Sequence, residues 1–304
     1  MLGLPLTVAL GLSATPAADS VSFRFAWPDG LSADVEYGRS REQAGRPSSV
    51  LRLRGRFVSQ VRGDEVRFGF RGWRNVGLDA GEASIDPLLD AVGLITTVVT
   101  RAGAYVRVEG IEDAVEAIRA KTRGAPVEAR PMLERLERVA PAMLAKEASE
   151  FWSGLVQFWE GNDLIVGDDY QSNSRAPVGA LPGESVHLHT YVMVKRRLPC
   201  PGGGGQCVEV WMRSQADADD IERVTRRFVS ELGFQPQVTA TLGEMAGSTE
   251  VTLVTEPGRL VPHRLTRTRA VRVAPAADAP KDAKSVERRD ESTWSFRYSA
   301  VPAR

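Results

Sequence analysis

The sequence predicts an α+β fold, a curved antiparallel β-sheet wrapping a central helical block. Three observations carry that prediction. Apolar and polar residues alternate with period two before residue 110 and again after residue 185, the mark of strands with one wet face. Between them, over residues 111–160, the apolar spacing turns helical. The last helical stretch carries an apolar stripe too wide for a single flat neighbour.

The chain opens on "MLGLPLTVALGLSATPAADS". An apolar run from Leu2 to Leu12 is followed by small residues and then Asp19. This is the layout of a secretory signal, with cleavage expected after Ala17 or Ala18 and residues 1–18 removed. No Lys or Arg precedes the run. A buried first strand is the competing reading. Residues 19–304 are expected to form one secreted domain, periplasmic or extracellular. No later segment has the 18 uninterrupted apolar residues of a membrane-spanning helix.

"VSFRFAW" and "LSADVEY" alternate around the turn "PDG". "SSVLRLRGRFVSQVRG" and "EVRFGFRGWRNVGL" continue the meander. Their interleaved arginines resemble a nucleic-acid strip, but 39 basic residues balance 39 acidic ones. Proteins that live on phosphate backbones carry a basic excess, so a solvated sheet face is the expected reading and no nucleic-acid partner is expected. Of the 39 basic residues, 34 are Arg and only five Lys, and they are dispersed along the chain. Ser84 is placed to cap a short helix, "IDPLLDAVG". "LITTVVTRAGAYVRVEG" reads as two strands around an Ala-Gly turn.

Residues 111–160 read as about three helices, broken near Gly124–Pro126 and at Pro141. In the last, Leu144, Ala145, Ala148, Phe151, Trp152, Leu155, Val156, Phe158 and Trp159 fall within an arc of roughly 160° at about 100° per residue. An ordinary surface helix shows a stripe of about 100°. Phe151, Trp152, Leu155 and Trp159 are therefore the candidate lining of an apolar pocket, against the alternative of a packed core. Residues 162–185 read as a loop, residues 214–232 as an inserted helix and residues 274–292 as a mobile loop. Asp217, Asp219 and Asp220 lack the Gly and Glu of a calcium loop, and acidic residues in a first helical turn already favour the helix dipole.

"LPCPGGGGQCVEVW" holds the only two cysteines, Cys200 and Cys207. A phosphate loop would need Lys and Ser or Thr after its last Gly, and a helix, where "VEVWM" reads as a strand. A zinc site from Cys200, Cys207, His187 and His189 is conceivable, but the cysteines are seven apart, with six residues between them where two to four are usual. A disulfide across the glycine-rich turn of a hairpin fits the spacing and an exported compartment.

The order of strands, helical block and strands, with the hairpins "TRAGAYVRVEG" and "TEPGRLVPHRL" and the turn "VGDDY", resembles uncharacterised secreted bacterial β-rich proteins whose fold is similar to the outer-membrane lipoprotein carriers. The resemblance implies a curved sheet half-enclosing helices over an apolar cavity. It transfers no binding residue.

Catalytic motifs are missing. No G-x-S-x-G elbow occurs, and Ser153 lies on a polar helix face. Glu184 near His187 or His189 is possible by proximity alone, and His263 has no evident partner. No catalytic residue, metal or cofactor is expected, and the chain is not expected to be an enzyme. The expected function is a non-catalytic envelope protein holding an apolar small molecule or lipid between sheet and helix. The alternative is a structural or protein-interaction component with a filled core, and a hydrolase stands third.

Cys200→Ser should lower stability by about 1–3 kcal/mol and leave the fold intact, since the bond closes a short loop. Denaturant midpoints of the oxidised wild type and the variant measure it, and equal midpoints would contradict the staple.

Overall fold

A computed structural model of the 304-residue chain describes residues 19–43, 46–76, 91, 93–128, 130–177, 183–201, 205–231, 242–275 and 285–298. The leader, all but Ala91 and Gly93 of the helix expected after Ser84, and residues 276–284 lie outside the described residues.

The fold is mostly β. Its frame is one antiparallel sheet of eleven strands. β2 (Ser32–Gln43), β3 (Arg46–Arg62), β4 (Glu65–Asn75), β5 (Thr96–Thr100) and β6 (Tyr105–Glu109) form one meander. β8 (Asp169–Pro177), β9 (Ser185–Pro199), β10 (Gln206–Ala216), β11 (Leu242–Glu256), β12 (Val261–Pro275) and β13 (Val286–Tyr298) form the other. They join where β13 pairs with β2, leaving β6 and β8 as edges, so the sheet is not closed.

The helical block sits between the meanders. α1 (Ile111–Gly124) buries Ala114, Ile118 and Thr122 at a spacing of four, and acidic and basic residues at its two ends suit the helix dipole. α2 runs from Arg130 to Trp152 and continues as a π-helical turn over Ser153–Gln157. Among the described residues the block therefore holds two α-helices rather than about three. Pro141 lies inside α2. A proline there removes one backbone donor but leaves the other hydrogen bonds of a long helix to hold it.

The π turn also changes the expected wheel, because 100° per residue no longer holds past Trp152. Leu144, Ala148, Phe151, Trp152, Leu155, Val156 and Trp159 are nonetheless all buried, while Phe158 is exposed. α3 spans Ala218–Glu231, with residues 214–216 belonging to β10. The Asp217 carboxylate caps α3 by accepting the Asp219 and Asp220 amides at 3.1 and 3.2 Å.

Three stretches differ from the alternation reading. "VSFRFAW" is a strand only at β1 (Ser20–Ser22), which pairs with β7 (Asp163–Ile165). Beyond it the chain stays extended, buries Phe23, Phe25 and Trp27, and bonds to turns instead of a neighbouring strand. The expected loop over residues 162–185 contains β7 and β8. As an edge strand with Gln171, Asn173 and Arg175 exposed, β8 gives no apolar alternation. Residues 286–292 of the expected mobile loop lie in β13, and 274–275 in β12. Their charges are spent on cross-strand ion pairs, such as Arg272–Glu287 and Arg41–Asp290.

The main core is aromatic. Trp152 meets Phe25, Trp27 and Phe68 at ring-centroid distances of 5.1, 5.4 and 5.1 Å. Its Nε1–H donates to the Gly103 carbonyl at 2.9 Å. Gly103 has φ of 81°, and a Cβ there would crowd Val156 and Phe25, so glycine suits that turn twice over. Trp159 packs against Phe23 and donates to the Gly154 carbonyl at 2.9 Å.

Trp159→Ala should cost about 3–5 kcal/mol, the usual penalty for deleting a buried large aromatic. A denaturant midpoint measures it, and a loss below about 1 kcal/mol would contradict the tight packing described.

Candidate functional site

The candidate site is a cavity of about 280 Å³ between α2 and the sheet. Sites for small ligands run from about 300 Å³ upward, so this one is at the small end. Its apolar floor comes from Phe68, Phe70 and Trp73 of β4, Leu53 of β3 and Trp294 of β13. Leu144, Ala148 and Phe151 of α2 close it from above. Trp73 reaches its place by lying over Gly55, where a Cβ would come within 2.6 Å of the indole.

The strand register explains why floor and mouth differ. On the side of the sheet facing α2, Leu265, Trp294, Tyr37 and Leu53 stand opposite one another across β12, β13, β2 and β3. Two residues along, the same side carries Arg267, Ser292 and Arg39. Two further on it carries Arg269, Asp290 and Arg41. The inner face thus turns from apolar to ionic within two rungs.

Ion pairs knit this mouth to the helix. Arg267 and Arg269 bond the Glu147 carboxylate at 2.8 and 3.0 Å, and Arg269 also pairs with Glu150. Asp290 accepts from Arg41 and Arg288 at 2.7 Å each, and from Arg39 at 3.5 Å. The Arg267 guanidinium lies over the Trp294 ring, 5.5 Å from its centroid. Two buried donors on cavity-lining residues, Trp73 Nε1 and Arg267 Nη1, have no hydrogen-bond partner.

Burial opposes ionisation of Glu147 and Asp290, but the guanidiniums outweigh it. Arg267 and Arg269 hold the Glu147 carboxyl below its ordinary range, and hydrogen bonds from Arg41 and Arg288 do the same for Asp290. Burial pushes the Tyr37 phenol up, with its hydroxyl 3.5 Å from Ser292 Oγ.

Of the four residues expected at a pocket, Phe151 lines this cavity. Trp152, Leu155 and Trp159 do not; they are fully buried in the aromatic core next to it. The apolar stripe of the helix gives no sign of the arginines of the mouth. The available signal was in β12, where period two places Arg267 and Arg269 on the face of buried Leu265.

No protein-family model and no curated protein sequence matches the chain. Among solved structures, one titled "Lipid-protein interactions in lipovitellin" matches with a TM-score of 0.43 and 8% identity. The match covers 91% of this chain and 26% of that one, so this chain spans about a quarter of its length. A likeness of that size carries no argument about fold or ligand.

The cysteines form a disulfide, Cys200–Cys207, just past the last rung of the β9–β10 hairpin, where Pro199 faces Gln206. The nearby histidine is His263, not His187 or His189, with one ring nitrogen within 4.8 Å of both sulfurs. His263 has a partner after all, in Glu256 at 3.2 Å. His187 bonds Asp220 and His189 bonds Asn173, each at 2.8 Å, while Glu184 pairs with Arg223 and Arg227. Ser153 Oγ donates to Gln157 at 2.6 Å.

Glu147 and Asp290 have folded-state values below those of the unfolded chain. They therefore contribute stability above the unfolded carboxylate value of about 4, and lose it as pH falls through the lower folded values. Denaturant midpoints should hold from neutral pH to about 4 and drop below it. Glu147→Gln and Asp290→Asn should each be less stable than wild type at neutral pH and lose less on acidification. An unchanged acid slope in both variants would contradict the pairing.

Proposed function

We propose that this is an exported, non-catalytic protein that holds an apolar or lipid-like ligand between the sheet and α2. The observation carrying the reading is the cavity beside Phe151, enclosed by aromatic side chains of the sheet and covered by α2.

Convergence of side chains across the sheet supports it. The Phe151 ring meets Phe70 of β4 edge-on at 5.5 Å and Trp294 of β13 at a tilt at 5.4 Å. Those two rings are thus no more than about 11 Å apart, although β3 and β2 separate their strands and three strand spacings of a flat sheet come to about 14 Å. Side chains converging in this way suit a concave face wrapped around the helix. Open sheets beyond about ten strands also tend to curl. This is the arrangement that the resemblance to the outer-membrane lipoprotein carriers leads one to expect.

Export is supported by the disulfide, which persists in oxidising compartments. Among the described residues no helix is long and apolar enough to cross a membrane. The non-catalytic reading is supported by the three histidines, each bonded to a neighbour and none lining the cavity. The alternative, a structural component with a filled core, is favoured by the close packing around Trp152 and Trp159. Within this reading, packing and cavity divide the helix face between them.

Ala148→Phe tests the proposal. If the cavity is open, phenylalanine fills it with little loss of stability, and binding of the neutral fluorescent probe phenylnaphthylamine seen in the wild type is abolished. If the space is packed, overpacking costs about 1–3 kcal/mol. A wild type that does not bind the probe, or a variant that binds it equally well, overturns the proposal.

A further inference from the structure

We propose that the ligand of this cavity is a single-chain amphiphile with an anionic headgroup, its chain on the aromatic floor and its headgroup at the arginine mouth. The inference rests on the ligand-binding reading above and names the class of ligand.

The first argument is charge. Five guanidiniums, of Arg39, Arg41, Arg267, Arg269 and Arg288, face three carboxylates, of Asp290, Glu147 and Glu150. Asp290 alone serves three of the five. The described groups of the mouth therefore carry two positive charges in excess. Arginines need a partner when taken from water, and a second anion would supply one.

The second argument is the sign of the unpaired groups. Trp73 Nε1 and Arg267 Nη1 are both donors, buried and without partners, on residues that line the cavity. Arg267 Nη1 is 3.7 Å from the nearer Glu150 oxygen, beyond hydrogen-bond reach. Donors left over call for an acceptor, and a buried donor left unsatisfied is costly. A purely hydrocarbon ligand would leave both as they are. A carboxylate or phosphate at the mouth offers several acceptor atoms to Arg267 and the arginines beside it.

The third argument is direction. The change from Leu265, Trp294 and Tyr37 to Arg267, Ser292 and Arg39 occurs along the strands, one rung at a time. The cavity spans that boundary, since Trp294 and Tyr37 line it together with Arg39, Arg267 and Arg288. A ligand lying across the boundary is apolar at one end and anionic at the other.

Dodecanoate, dodecyl phosphate and dodecanol share one chain and differ at the head. Titration calorimetry of each against the wild type, below its aggregation concentration and at low salt, separates the possibilities. The expected result is that both anions bind at least about tenfold more tightly than the alcohol, the effect of a charge-assisted hydrogen bond. The tighter of the two anions identifies carboxylate or phosphate, and either order supports the proposal. In the double variant Arg39→Gln/Arg288→Gln the advantage should shrink while alcohol binding stays. Both side chains are partly exposed, and a melting curve checks folding; Arg288→Gln alone serves if the pair fails to fold. Equal binding of acid, phosphate and alcohol overturns the headgroup and leaves the apolar cavity standing. Binding of none of the three overturns both.

Discussion

Trp152 is the contact on which the rest of the molecule depends. Its ring touches the N-terminal extended segment through Phe25 and Trp27, and the sheet through Phe68. Its indole N–H reaches the turn between β5 and β6. Helix, sheet, N-terminal segment and edge hairpin thus meet at one side chain. Trp27 extends the link, since its own N–H donates to the Leu260 carbonyl in the β11–β12 turn at 2.8 Å. Both indoles are buried with their polar atoms satisfied, so they add large apolar contact area without the penalty of an unpaired donor. The close packing ends one residue earlier, at Phe151, where the cavity begins.

The same helix therefore does two jobs in sequence. Trp152, Leu155 and Trp159 fix it against the core, while Met143, Leu144 and Phe151 roof a cavity. Glu147 and Glu150, on the turns between, pin it to β12 through Arg267 and Arg269. Packing beyond Phe151 and ion pairs on the turns before it hold the helix over the apolar space. Because the ionic contacts are partly exposed, salt and acid weaken them more readily than the aromatic contacts.

Much of the fold was legible in the sequence because period-two alternation is a direct image of a half-buried strand. "VLRLRGRFVSQV" and "VHLHTYVMVK" lie within β3 and β9. The hairpin disulfide followed from the spacing of Cys200 and Cys207 around a glycine run. Where both faces of a strand are polar the signal vanishes, which is why β8 and the first half of β13 read as loops. Pro141 read as a break because a proline usually ends a helix, while length and neighbours carry α2 past it. At the site, the apolar stripe pointed to Phe151 but could not divide lining from core, since both are apolar. The arginine mouth was written in β12 as Leu265, Arg267 and Arg269 at spacing two. Only the register with Trp294, Ser292 and Asp290 turns that spacing into a boundary across a cavity.

The measurement that bears most directly on the cavity beside Phe151 is native mass spectrometry of the protein purified from its own host without denaturation. The expected spectrum contains, besides the bare polypeptide, an adduct with the mass of a single-chain anionic amphiphile. That adduct should be missing from the Ala148→Phe protein prepared in the same way. Bare polypeptide alone in the wild type, or the same adduct in both proteins, would contradict a ligand held between the sheet and α2.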